Sequence, residues 1–168
     1  LSTVNPIQGG FVYFTPMRPG HYRVYSQPQT SFWCCVGSGM ENHARYGGMI
    51  YSHKGDKELI VNLFIPSVLT WGKTVVEQVN SFPAEEGTTL MINPKKPAEF
   101  TVSIRVPEWT ESARMNAKVN GEPVEAVLED GFLKIERRWA KGDKLSVDLP
   151  MSLRAVQLPD KTENYSFM

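Results

Sequence analysis

Cysteine is nearly absent from this 168-residue sequence: there are two, Cys34 and Cys35, side by side. A disulfide framework of the kind that staples small secreted domains is thereby excluded. A bridge between the two themselves would be strained, because Cα atoms across a trans peptide lie about 3.8 Å apart and disulfides ordinarily span about 4.4 Å or more. Histidine is scarce as well, at three residues, and neither sign of charge is in excess, with 18 basic and 18 acidic side chains. That balance lacks the electrostatic footprint of a nucleic-acid or anionic-membrane binder, although small charged ligands are not excluded. No apolar run approaches membrane-spanning length, and the opening LSTVNPIQGG has neither the basic start nor the apolar stretch of a signal peptide. The partners expected therefore include no nucleic acid and no membrane. The chain opens on Leu and stops at NYSFM, where an apolar stretch begins, so an excised piece of a longer protein is expected.

What is present divides into two unlike parts. In the first third, GGFVYFTP (9–16) and HYRVYS (21–26) are short aromatic and β-branched runs joined by MRPG, a hairpin-like connection. The cysteine pair comes next, and then the one convincing helix. Ser38 with Glu41 three residues on is a capping-box pattern that predicts the helix start, and Gly47 and Gly48 predict its end. From Ile50 onward the pattern is of strands: KELIVNLFIP (57–66), KTVVEQVNSF (73–82), TTLMINP (88–94), AEFTVSIRVP (98–107), ARMNAKVNG (113–121), GFLKIERRW (131–139) and DKLSVDLP (143–150). Phe100, Val102, Ile104 and Val106 alternate with Thr101, Ser103 and Arg105, a half-buried strand. Turn chemistry punctuates the runs at Asn120-Gly121, Asp130-Gly131 and Gly142-Asp143. The fold class expected is mainly β, an antiparallel β-sandwich over residues 50–158. Residues 1–49 read as a segment belonging to something else, and 159–168 as the start of a further one.

The adjacent thiols admit three readings. One is the strained vicinal disulfide. A second is two buried thiols serving as small apolar residues, the ordinary fate of free cysteine. The third is a metal or nucleophile site: the partial positive charge of a helix N-terminus favours a thiolate, and a bound zinc ion enforces one. Two sulfurs are half of a tetrahedral zinc set. Glu41 and His43 lie about 200° apart around a helix and cannot both face one ion. Glu41 is better explained by the capping box and by Arg45 four residues on, and His21, His43 and His53 have no supporting ligands.

YFTPMRPGHYRVYSQPQTSFWCCVGSGMENHARYGGMIY, continuing into ELIVNLFIPSVLTW, FTVSIRVPEW, KVNGEPV and WAKGDKLSVDLPMSLR, resembles the bacterial β-L-arabinofuranosidase superfamily, glycoside hydrolase families 127 and 146. Its most specific part is the WCC block leading into GMENHA, with VNLFIPS downstream. The resemblance implies that residues 1–49 are the last hairpin and helix of an (α/α)6 catalytic barrel, and that the sandwich comes after it. It further implies that Cys34 is the nucleophile and also touches a zinc ion, and that Cys35 is a zinc ligand. The remaining zinc ligands and the acid/base glutamate have no counterpart in this sequence. The implied reaction is a retaining one, in which a zinc-held Cys34 thiolate stands where most retaining glycosidases place a carboxylate. The implied partners are a plant-derived, arabinose-containing glycan and the rest of the barrel. For the compartment, the resemblance leans to the periplasm or cell exterior. VGSGMENH stands where some members have a proline-rich turn, so another furanoside or a pyranoside remains open as substrate.

Two other classes remain open from the residues. One is a non-catalytic β-sandwich that binds carbohydrate or supports a catalytic domain, with Trp71, Trp109 and Trp139 as sugar-stacking candidates. Against this stands the habit of tryptophan to be buried, and all three sit at strand ends. The other is a small zinc-binding structural domain.

Overall fold

A computed structural model describes residues 5, 7–16, 18, 20–27, 29–31, 33–159 and 163–167, with the backbone alone at Cys35. Met17 and Pro19 of the expected hairpin connection lie outside the described residues, as does Phe32 at the approach to the cysteine pair. The chain divides into two compact units, 1–49 and 50–168.

In the first unit, Asn5 opens a turn: its Oδ1 accepts from the amides of Ile7 (2.9 Å) and Gln8 (3.1 Å). The two aromatic runs meet at a single antiparallel bridge, Val12 with Tyr25, and not along a ladder. Next to it the Phe11 amide donates to Ser26 Oγ at 2.9 Å, and the Ser26 amide to the Phe11 carbonyl at 2.8 Å. Gly10 is required there, since a Cβ would stand 2.3 Å from the Ser26 carbonyl oxygen. Helix α1 spans Cys34–Met49, so it begins four residues before Ser38. The capping-box expectation is corrected: Ser38 is inside the helix. Within the helix the Phe11 ring lies against the backbone at Gly39, 2.5 Å from where a Cβ would be. Both cysteines thus occupy the first turn and do not precede it.

Among the described residues the second unit contains thirteen strands: β1 (Tyr51–Lys54), β2 (Glu58–Val61), β3 (Ser67–Trp71), β4 (Thr74–Val79), β5 (Thr88–Pro94), β6 (Ala98–Arg105), β7 (Ala117–Val119), β8 (Glu122–Pro123), β9 (Val127–Glu129), β10 (Phe132–Trp139), β11 (Asp143–Val147), β12 (Ala155–Gln157) and β13 (Tyr165–Phe167). One sheet runs β1-β2-β6-β10-β9 and the other β3-β4-β5-β11-β7-β8, with β12 and β13 paired apart. Their inner faces supply one core: Leu59, Val61, Phe100, Val102, Ile104, Leu133 and Ile135 from the first sheet pack with Val76, Leu90, Ile92, Val119, Leu145 and Val147 from the second. The sandwich is antiparallel as expected, with one departure. Strand β2 runs parallel to β6, Glu58 opposite Thr101.

Turn chemistry closes the hairpins. Asn120 and Gly121 (φ 55° and 91°) join β7 to β8, and Asp130 and Gly131 (φ 51° and 78°) join β9 to β10. Positive φ at both central residues gives the turn a twist that matches that of the flanking strands. The expected strand 57–66 stops at Val61 because Gln78 captures the backbone just beyond it. The buried Gln78 amide donates from Nε2 to the carbonyls of Leu63 (3.1 Å) and Ile65 (3.0 Å), and its Oε1 accepts from Thr88 Oγ1 at 3.0 Å. The expected strand 113–121 is interrupted as well, by a 3-10 turn at Ser112–Arg114.

Asp143 fastens one end of the sandwich. Its carboxylate accepts from the Ala140 amide and from Asn120 Nδ2, both at 2.9 Å, and lies 3.9 Å from Arg137. Burial pushes its pKa up, but those two hydrogen bonds and the Arg137 charge outweigh burial and hold it below the usual carboxylate range. A depressed folded-state pKa contributes stability above the unfolded value of about 3.9, and that stability is lost as pH falls through the folded pKa. Asp143→Asn is therefore expected to cost about 1–3 kcal/mol at pH 7, and the gap to wild type should narrow in strong acid. Urea midpoints at both pH values test this, and a gap that does not change with pH counts against it.

Candidate functional site

Cys34 is the first residue of α1 and is exposed. At that position the backbone amides of the first helical turn have no intrahelical acceptor, which leaves partial positive charge beside the thiol. Its Sγ–H donates to Tyr13 Oη at 3.7 Å. Tyr13 comes directly after the Val12–Tyr25 bridge, so the close approach of the two aromatic runs is what brings a phenol from 21 residues upstream to the thiol. No periodicity or motif in the sequence marks Tyr13 for this position.

The phenol ring is also one wall of a cavity of about 580 Å³, lined by Tyr13, Phe14, His21, Tyr22, Val24 and Trp33 among others. Trp33 meets Tyr13 edge to face at 6.3 Å, and Phe14 meets it at 4.6 Å. Within this unit Phe14 and Tyr22 remain 79% and 73% exposed, an uncovered aromatic surface close to the Cys34 thiol. The fourth tryptophan, Trp33, not among the three singled out from the sequence, is the one that lines this cavity.

Other expected residues are placed elsewhere. His43 directs Nδ1 to the Gly39 carbonyl at 2.6 Å and meets Phe11 and Tyr46 edge to face, so it packs the helix and is committed to a backbone acceptor. His21 stacks on Tyr22 at the cavity, and His53 directs Nδ1 to the Gly55 carbonyl. The side chain of Cys35 lies outside what the structure describes. Among the described residues no group of three or more His, Cys, Asp or Glu could hold a metal ion. Cys34 and Cys35 are thus at most half of a zinc set, and the described residues do not fit a four-coordinate zinc by themselves.

In the sandwich, Trp139 is fully buried and donates its indole N–H to the Phe100 carbonyl at 2.9 Å, which removes it as a sugar-stacking surface. Trp109 is half-buried and stacks on Phe82 at 5.6 Å. Trp71 is half-buried, meets Phe100 edge to face at 5.1 Å, and lines a cleft of about 330 Å³.

Residues 58–151 match the profile of the middle domain of GH127 β-L-arabinofuranosidases, and residues 1–48 match that of the GH127 catalytic domain. Similar solved structures include a GH127 β-arabinofuranosidase, 26% identical with a TM-score of 0.77 over 99% of this chain and 30% of the other. A GH127 β-L-arabinofuranosidase from Geobacillus stearothermophilus T6 is 24% identical with a TM-score of 0.71, over 87% and 24% of the two chains. A third, described as a glycoside hydrolase, is 20% identical with a TM-score of 0.69, over 88% and 26%. The last two likenesses bear on the fold alone. No curated protein sequence matches. The chain spans less than a third of the length of each of these solved proteins. Because the middle-domain profile covers more than half of its residues, with the catalytic-domain profile directly before it, the chain belongs to glycoside hydrolase family 127.

Proposed function

We propose that this chain supplies the nucleophile segment and the supporting sandwich of a retaining glycoside hydrolase that removes non-reducing-end β-L-arabinofuranosyl residues from a plant-derived glycan. The observation that carries the reading is the exposed Cys34 at the start of α1, its thiol against Tyr13 in the wall of an aromatic cavity. Aromatic walls suit a sugar, whose C–H faces pack on rings while its hydroxyls remain free for directional bonds.

In the proposed reaction the Cys34 thiolate attacks the anomeric carbon. A C–S bond forms as the glycosidic C–O bond breaks, and the departing oxygen takes a proton from a general acid. Water then adds at the same carbon and gives its proton to the conjugate base of that acid, and the C–S electron pair returns to sulfur. Two displacements at one centre retain its configuration. No described residue is assigned to the acid/base role. A zinc ion at Cys34 and Cys35 is proposed only as completed by ligands from outside the described residues, and no step above is routed through it.

The 168-residue chain on its own is expected to give no hydrolysis of p-nitrophenyl β-L-arabinofuranoside, because the acid/base and half of a zinc set are missing from its described residues. Release of nitrophenol above the uncatalysed rate that is lost in Cys34→Ser would overturn that expectation.

A further inference from the structure

The zero net charge of the chain conceals a division within the sandwich. At one end lie the turns β1–β2, β3–β4, β5–β6 and β10–β11, and they carry Lys57, Lys73, Lys95, Lys96 and Lys141, all exposed. Backbone contacts bring these turns together: the Lys95 amide donates to the Lys73 carbonyl at 2.9 Å, the Thr101 amide to the Lys57 carbonyl at 2.9 Å, and the Gly142 amide to the Ile92 carbonyl at 3.1 Å. Among the described residues none of these five ammonium groups has an ion-pair partner within 4 Å. Asp56, Glu99, Glu122 and Glu136 are exposed carboxylates nearby, and Arg138 faces Glu99 across the β6–β10 ladder. The opposite end reverses the sign: Glu85, Glu86, Glu108, Glu111, Asp130 and Asp148 are exposed there, against Arg105 opposite Phe132 and Arg114, which answers Glu111 at 3.6 Å.

The cleft beside Trp71 opens at the basic end. Trp71, Phe100 and Ala98 form its apolar part, and Asp56, Lys73 and Thr74 its polar part. The Trp71 indole is held in place by its N–H bond to the Gly55 carbonyl at 3.2 Å and by the Phe100 ring. A fixed aromatic surface with a carboxylate and an ammonium within one cleft is the chemistry that receives a sugar ring and its hydroxyls. The lysines around it add a field that favours negative charge.

We propose that this end of the sandwich binds a carboxylated oligosaccharide, one uronate residue seated in the Trp71 cleft and its neighbours' carboxylates against Lys73, Lys95 and Lys96. The choice of a glycan over another anion rests on the glycoside hydrolase reading; the choice of an anionic one rests on the charge division. The site requires nothing of Cys34, so failure here leaves the proposed catalysis untouched.

The test is calorimetric titration of the 168-residue chain with a short oligogalacturonate, with a neutral arabino-oligosaccharide and single-stranded DNA as comparisons. Oligogalacturonate should bind, and binding should weaken as salt shortens the reach of the lysine charges. Reversing Lys73, Lys95 and Lys96 together to glutamate should weaken it about tenfold or more through long-range electrostatics alone. Trp71→Ala should abolish it, with the far-ultraviolet spectrum reporting whether the fold is intact, and Glu85→Lys at the other end should change nothing. The proposal is overturned by no binding of oligogalacturonate, by equal binding of the neutral oligosaccharide or of DNA, or by an unaltered affinity in the triple lysine variant.

Discussion

Cys34→Ser in the complete enzyme is expected to lower turnover of a β-L-arabinofuranoside by at least about three orders of magnitude, the scale on which removing a covalent nucleophile acts. Serine keeps the size and polarity of the side chain but is far less ionised than a thiol at neutral pH, so it cannot attack the anomeric carbon at a comparable rate. The sandwich should be unaffected: Cys34 belongs to the 1–49 unit, and the core that holds the second unit together draws on residues from Leu59 onward. The informative measurement is kcat alongside a thermal midpoint. A variant with normal melting and no turnover supports the nucleophile assignment, whereas one that retains a tenth of wild-type turnover removes it. Tyr13→Phe gives a graded companion, since it deletes only the hydroxyl that accepts from the thiol.

The largest expected effect on stability is that of Trp139→Ala. This side chain is wholly buried, donates to the Phe100 carbonyl, stacks on the Phe100 ring at 5.9 Å, and has the Arg137 guanidinium 5.2 Å from its own ring. Removing a buried tryptophan costs about 3–5 kcal/mol, a large share of the roughly 5–15 kcal/mol by which a domain is ordinarily stable. The change should therefore lower the denaturant midpoint sharply or leave the sandwich unfolded at 37 °C. Trp139→Phe should be milder, keeping the ring stack and losing the indole donor. Phe100 stands between Trp139 and Trp71, so the Trp71 cleft should loosen in the alanine variant even where the fold survives. An unchanged midpoint for Trp139→Ala would mean that the core does not depend on this residue.

The parts of the fold legible in the sequence are those where local chemistry and burial agree. Strand β5 coincides with TTLMINP because every second residue of it is buried, and β10 with FLKIERRW for a similar reason. The Asn-Gly and Asp-Gly turns declare themselves because few other residue pairs adopt two consecutive positive φ values. The illegible parts depend on distant contacts. Strand β1, YSHK, is a polar edge strand with three of its four residues exposed, and β3, SVLTW, alternates between half-buried and exposed, so neither has a hydrophobic pattern to announce it. The helix start is disguised because Ser38 and Glu41 imitate a cap, while the helix begins a full turn earlier at Cys34. At the candidate site the cysteine pair stands out by its rarity alone. Tyr13 and the aromatic cavity are hidden from the sequence, since the Val12–Tyr25 bridge and the Phe11–Ser26 hydrogen bonds beside it bring the two runs together.

The parallel pairing of β2 with β6 bears on the order in which this chain is made and folded. An antiparallel neighbour can be supplied within a few residues of a turn, but β2 must wait until residues 98–105 have been synthesised before its second edge is covered. Until then β1 and β2 form at most an isolated hairpin, which is marginal in water. Leu59 and Val61, fully buried in the finished sandwich, lack their β6 neighbours throughout that interval. Strand β2 thus keeps one open edge while β3, β4 and β5 emerge, and during synthesis it presents an apolar strand edge of the kind that associates with other chains. Loop closure over this separation sets a kinetic cost that the local hairpins at Asn120-Gly121 and Asp130-Gly131 do not bear.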